Sequence, residues 1–307
     1  MAQKFLENFL NVQFFGEFLI DRWIINRDQL LAALDYQMNR NERFGAIAVR
    51  KGFLTKAQVE DIKRRQCRSD LTFGELAISV GLLTHEQVKQ IATYQHRNNL
   101  LLGQTLLRLN FIDEATLNRE LTNYREHHRR FSGDEISIAV SPASAAIIHA
   151  GLDLTRKMFR RVAGIIIKAG CAVVITPEDE KTITSYPVTV SVGFSGDESI
   201  RFILSVSRSL ALPIASSLLG VGDHDELDEM VLDAVKEFCN YICGNTAARV
   251  ARKGVQVDIS PPTHLTEIPD MPAGCQTVAY PMRSTGGGLD LRFHVNQRVV
   301  ATRRATA

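Results

Sequence analysis

Apolar and polar positions follow two different periods along this chain, and the change falls near residue 130. Before it, one template recurs. Gly16, Gly45, Gly74 and Gly103 stand 29 residues apart, inside 24-residue stretches that begin at Phe14, Arg43, Thr72 and Leu101 and are separated by five residues. Such a fixed period is the mark of stacked supersecondary units. Each unit predicts a short helix, a turn and a longer helix. The pairs Leu19/Ile20, Ala48/Val49, Ala77/Ile78 and Leu106/Leu107 supply one buried turn. Gly52 and Gly81 can take the positive φ that ends a helix. Asn26, Thr55, Thr84 and Asp113 sit at N-cap positions, with Gln58 and Gln87 completing capping boxes. Leu30/Leu34 and Leu117/Leu121 are expected to face inward, and Gln37, Gln66 and Gln95 close three of the units.

After a stretch rich in charge, Ser, Gly and Pro, the second half mixes both periods. A helix is expected from Ala145 to about Ile167. Val188, Val190, Val192 and Phe194, then Ile200, Phe202, Leu204 and Val206, alternate with polar residues as a hairpin with one buried face. Helix returns at Ser209–Leu219. A longer one is expected over Leu227–Ala251, with Gly222, Asp223 and Asp225 between the two. Its apolar stripe is Leu227, Met230, Val231, Ala234, Val235, Phe238 and Ile242. At about 100° per residue, Asp233, Glu237 and Asn240 fall together on the opposite side. Gly254 ends that helix, and a short strand stops at Pro261-Pro262. Strands over Cys275–Met282 and Leu289–Val295, joined across Gly286–Gly288, finish an antiparallel sheet. The layout is α+β, with helices on one side of the sheet. No strand-to-helix context follows Gly286–Gly288, so they make no phosphate loop.

With 307 residues and 45% hydrophobic content there is room for two ordinary cores. The net charge of +2 is split, with 19 Lys and Arg against 15 Asp and Glu before residue 131, and 17 against 19 after it. That is compatible with an anionic ligand in the first half and too small to argue for nucleic acid. Cys67, Cys171, Cys239, Cys243 and Cys275 show neither disulfide nor zinc spacing, and read as reduced thiols of a cytoplasmic protein. His127 and His128 are adjacent, as in a basic hinge rather than a metal site. No membrane span or signal peptide is expected, and MAQKFLENFLNVQFF reads as a packed lead-in to the first repeat.

The repeated RLGxxLxxxGxLxxxxLxxxLxxQ pattern resembles the MshEN domain at the N-terminus of type II secretion and type IV pilus ATPases, a family that binds cyclic di-GMP. The resemblance covers about residues 12–126. It implies apolar walls on the guanines and an Arg on the phosphates. Departures are several: only the second unit keeps the leading Arg (Arg43), Phe15, Phe44 and Phe73 replace the Leu, Trp23 and Asn110 replace the middle Gly, Lys63 stands where Leu is expected, and Tyr124 replaces the closing Gln. Units one and two would be the better pair, with Arg43 on the phosphate, Leu30, Leu34 and Phe44 as walls, and Gly16, Gly45 and Gln37 beside them.

Residues 144–297 resemble the CheX, CheC and FliY phosphatases, most closely CheX, through Asp233, Glu237, Asn240 and Gly244-Asn245 and the VQVDISPP strand after the helix. The resemblance implies hydrolysis of the phosphoaspartate of a response-regulator receiver domain. Asn240 would orient the water, Glu237 would pair with a receiver Lys, and Asp233 would shape the edge of the site. It also implies that the receiver supplies Mg²⁺, that this chain binds no metal or cofactor of its own, and that it forms a homodimer. The expected organisation is a helical repeat domain over 1–126, a linker over 127–143, a CheX-like domain over 144–299 and a tail over 300–307. The alternative function is a non-catalytic adaptor joining cyclic di-GMP, or pilus and secretion machinery, to a response regulator.

Overall fold

The computed structural model describes residues 11–131, 140–175, 186–220, 228–267 and 274–296. Residues 1–10, residues 132–139 of the expected linker, Gly222, Asp223, Asp225 and Leu227, and the tail lie outside them. The chain separates into two compact units, one over Gln13–Arg130 and one holding the described residues from Phe131 onward together with Asn11 and Val12.

The first unit is helical. Seven-residue helices α1 (Phe15–Asp21), α3 (Phe44–Arg50), α5 (Phe73–Ser79) and α7 (Leu102–Arg108) alternate with longer ones, α2 (Arg27–Arg40), α4 (Lys56–Gln66), α6 (His85–Asn98) and α8 (Glu114–Phe131). Local chemistry sets the boundaries. Asn26, Thr55 and Thr84 each accept the N–H three residues on while Gln29, Gln58 and Gln87 reach back, so the first unit also holds a capping box. Asp113 accepts from Thr116 at 2.7 Å. Gly52 and Gly81 take positive φ (73° and 72°), and Trp23 and Asn110 do the same at 58° and 53°. For a Trp that backbone conformation is a true outlier.

Packing does not follow chain order. Ile47, Leu54, Val59, Ile62, Leu76, Leu83 and Ile91 form one core from the second and third units. Phe18, Leu19, Ile25, Ala33 and Leu106 form another from the first and fourth. Each fully buried Ile or Leu contributes on the order of 2 kcal/mol. The two spacers answer one another. Leu100 N donates to Asn41 Oδ1 at 2.7 Å, and Glu42 N donates to Asn99 Oδ1 at 3.1 Å. Gln37 and Gln95 donate to the carbonyls of Leu100 and Glu42. Leu34, expected to face inward, is 42% exposed.

In the second unit, α9 (Pro142–Met158) is capped by Ser141, whose Oγ also bonds the buried Glu198. A π-helical turn (Phe159–Ala163) then ends at Gly164, φ 69°. The helix is thus shorter than the expected Ala145–Ile167, because Gly164 breaks it and Ile167 opens a strand. α10 (Arg208–Leu219) and α11 (Glu229–Ala251) complete the helices. The strands β1 (Ile167–Ala169), β2 (Val173–Ile175), β3 (Val188–Gly196), β4 (Ile200–Val206), β5 (Val257–Ile259), β6 (Thr263–His264), β7 (Cys275–Ser284) and β8 (Leu289–Asn296) form one antiparallel sheet. Its order is β1-β7-β8-β4-β3-β5, with β2 also on β7 and β6 also on β3. The hairpin register is Val190↔Leu204 and Val192↔Phe202.

The helices cover the face carrying Phe202 and Phe293. A Cβ at Gly151 in α9 would stand 3.1 Å from Phe293 Cε1 and Cζ. The alternation predicts one buried face for the hairpin, yet Thr189 and Ser205, and Asp290, Arg292 and His294 of β8, are buried on the other face too. Burial of such groups requires partners. Thr189 and Ser205 hydroxyls bond each other at 2.9 Å, and Arg292 Nε bonds Asp290.

Candidate active site

The expected helix holds, with its start corrected. Asp228 lies outside α11 as its N-cap and accepts from Val231 N at 2.8 Å. Val231, Ala234, Val235, Phe238, Cys239, Ile242, Cys243, Thr246 and Val250 are buried along one side. Three contacts fix the rod. Phe238 meets Phe159 edge-on at 4.9 Å. Arg249 Nη1 bonds Asp153 Oδ2 of α9 at 2.6 Å. Thr246 Oγ1 donates to Ile242 O within the helix.

Asp233 and Glu237 are exposed and Asn240 is half-buried, on one ridge. Asn240 Nδ2 points at Glu237 Oε2 from 3.5 Å, the outer limit of a hydrogen bond. Both groups therefore keep most of their capacity for an incoming partner, the carboxylate as acceptor and the carboxamide as donor and acceptor. Asp233 differs. Lys236 Nζ sits 2.9 Å from its Oδ1, so this carboxylate already has a cation beside it. A turn further on, a Cβ at Gly244 would meet only Ile259 Cδ1, at 3.8 Å. The Asn245 amide is taken by Tyr241 O at 2.8 Å.

Met230 is a correction. Counted into the buried stripe by its spacing, it is 52% exposed. It lies about 20° around the helix from Glu237, which places an apolar contact at the near end of the polar ridge. Cys239 and Cys243 stand behind the ridge, and burial pushes both thiols well up, so they pack rather than react.

The other candidate residues do not form one site. Phe44 and Gly45 belong with the second and third units, where Phe44 meets Phe73 at 5.5 Å and a Cβ at Gly45 would meet Val59. Gly16 and Leu30 pack on each other with Leu102, in the first and fourth. Gln37 is spent on Leu100 O at 2.6 Å, and Leu34 is exposed. The expected pairing of units one and two is thus replaced by one with four and two with three. Arg43, at the N-cap of α3, is exposed and has no side-chain partner among the described residues. No group of three or more His, Cys, Asp or Glu is placed to hold a metal among the described residues, and no described helix is long and apolar enough to cross a membrane.

Residues 188–282, which enclose α11 and its ridge, match the family described as chemotaxis phosphatase CheX. The CheY-P phosphatase CheX of Thermotoga maritima is 32% identical over 119 residues, spanning 39% of this chain and 74% of that protein. The chain belongs to the CheX family. Among solved structures, the CheX unit is similar to the chemotaxis protein CheX of Desulfovibrio desulfuricans (TM-score 0.43, 19% identity, 49% of this chain and 99% of that one). It is also similar to CheX in the CheX-CheY-BeF3-Mg complex of Borrelia burgdorferi (TM-score 0.39, 22% identity, 49% and 98%). These structural likenesses are too loose to bear on single residues.

Proposed function

We propose that the CheX unit hydrolyses the phosphoaspartate of a response-regulator receiver domain. The observation that carries this reading is Glu237 and Asn240 side by side on the open ridge of α11, inside the region that matches the family. An exposed helix face cannot enclose a small molecule. It can enter a cleft on another protein.

In that complex the Asn240 carboxamide accepts from and donates to a water, aiming it in line at phosphorus. The water oxygen bonds to phosphorus as the bond to the aspartyl oxygen breaks, which releases phosphate and the receiver carboxylate. Glu237 meets a receiver Lys in a charge-assisted pair and fixes the docking. Asp233, beside Lys236, lies at the rim. The receiver supplies Mg²⁺ and that Lys. The test is dephosphorylation of a panel of phosphorylated receivers by the wild type and by Asn240→Ala, which also separates catalysis from an adaptor role, since an adaptor binds without hastening phosphate loss.

The helical unit is proposed as the regulatory part. Arg43 is an exposed cation with no side-chain partner among the described residues, and cyclic di-GMP is the anionic ligand the repeat pattern suggests for it. Calorimetry with cyclic di-GMP on the wild type and on Arg43→Ala tests it, and no heat at high micromolar ligand would sink the idea.

A further inference from the structure

The first helical repeat carries an apolar surface that its own unit does not cover. Trp23 is 94% exposed, Met38 79%, Leu31 57% and Leu34 42%. Clustered exposure of this kind marks an interaction face. Trp23 adds strain, since it holds a φ of 58° at the turn where the next two repeats use Gly52 and Gly81. A bulky side chain kept in that conformation and turned wholly to solvent points to a role outside the fold. Its ring borders a groove with Ile20, Ile24, Arg27 and Gln29.

The polar residues on the same face indicate what covers it. Around α2, taking Leu31 as zero, Arg27 falls at about −40°, Asp35 at about +40° and Met38 at about −20°. Arg27 is four residues before Leu31 and Asp35 four after, and neither has an ion-pair partner among the described residues. Two α2 helices laid antiparallel about a two-fold axis through Leu31 therefore place Leu31 on its own copy. They place Arg27 opposite Asp35 twice, and Met38 level with the Trp23 turn twice. A face that is complementary to itself in both charge and apolar position is what an isologous contact requires.

We infer that this face of α2, with Trp23, is a self-association surface that joins two copies of the chain through their helical units. The inference stands apart from the phosphatase reading.

Trp23 is the chain's sole tryptophan, so its fluorescence reports this face and no other. The test titrates full-length protein and follows Trp23 emission and acrylamide quenching beside the mass from analytical ultracentrifugation. As concentration rises, emission is expected to shift to the blue and quenching to fall, in step with dimer formation. Leu31→Glu and Arg27→Asp should each weaken the transition at least tenfold, and Arg27→Asp combined with Asp35→Arg should restore it. All three substituted side chains are exposed, and matching circular dichroism melts confirm that the variants are folded. The inference is overturned if Trp23 stays red and quenchable throughout, or if the double swap fails to restore what the single swap removed. It is equally overturned if Trp23 becomes buried only when anionic lipid vesicles are added.

Discussion

Asn240 Nδ2 and Glu237 Oε2 stand 3.5 Å apart on consecutive turns of α11, close enough to share a substrate and too far to satisfy one another. The asymmetry with Asp233, already beside Lys236 at 2.9 Å, divides the three polar residues of the ridge by readiness. Glu237 and Asn240 are available, and Asp233 is engaged.

Glu237 should act on encounter more than on chemistry. Glu237→Ala is expected to raise KM for a phosphorylated receiver about tenfold or more while kcat changes less, and to reduce the salt dependence of kcat/KM. Steady-state kinetics at two ionic strengths check it. A loss confined to kcat would reassign the residue to the chemical step.

Met230 supplies apolar contact at the end of the ridge. Met230→Ala should raise KM about 5- to 30-fold with kcat kept, the usual effect of truncating an interface anchor, and Met230→Leu should retain wild-type values. Equal kinetics for Met230→Ala and wild type would remove it from the docking surface.

A methyl group at Gly151 would stand 3.1 Å from Phe293 Cε1 and Cζ, so the fully buried ring would have to give by a few tenths of an ångström. Gly151→Ala is expected to destabilise the second unit by about 1–3 kcal/mol through overpacking, seen as a lower denaturant midpoint at unchanged slope. A neutral or stabilising result would mean that the α9–β8 approach is looser than described.

Glu120 links stability of the helical unit to pH. Burial alone would raise its carboxyl, but hydrogen bonds from Arg119, Asn123 and Arg22 outweigh that and hold it below the ordinary glutamate range. A folded value below the unfolded one gives stability that is fully present above the unfolded value, about 4.3, and is lost as pH falls through the folded one. Melts between neutral pH and pH 3 should show this decline, and Glu120→Gln should flatten it. An unchanged slope in the variant would contradict the assignment.

The helices were legible because a 3.6 period and local capping speak through neighbouring residues. Asn26, Thr55 and Thr84 announce their helix starts unaided. Met230 and Leu34 were misplaced because periodicity assigns a face, whereas burial depends on which distant element reaches it. In the first turn of α11 no described element covers Met230, which is 52% exposed. The strands β1, β2 and β6, of two or three residues, are too short to show alternation. The burial of Asp290 and Arg292 was not legible, because it depends on β8 being covered on both faces, where the two side chains pair with each other. The pairing of repeats one with four escaped the fixed period, which suggests neighbour stacking. Asn41 and Asn99, at matched places in two spacers, were the available sign. The ridge itself was readable in outline, but the sequence alone could not show that Asp233 is engaged by Lys236 while Glu237 and Asn240 stay open.

The most direct test of the central claim is phosphate loss from a panel of phosphorylated receiver domains, each incubated with wild type, with Asn240→Ala, or alone. The account predicts at least one receiver that loses phosphate faster with the wild type, and a fall of about 10²- to 10³-fold in kcat with Asn240→Ala while receiver binding is retained, the scale expected when a preorganised group is removed from a reacting centre. Equal rates for wild type and Asn240→Ala across the panel would contradict it.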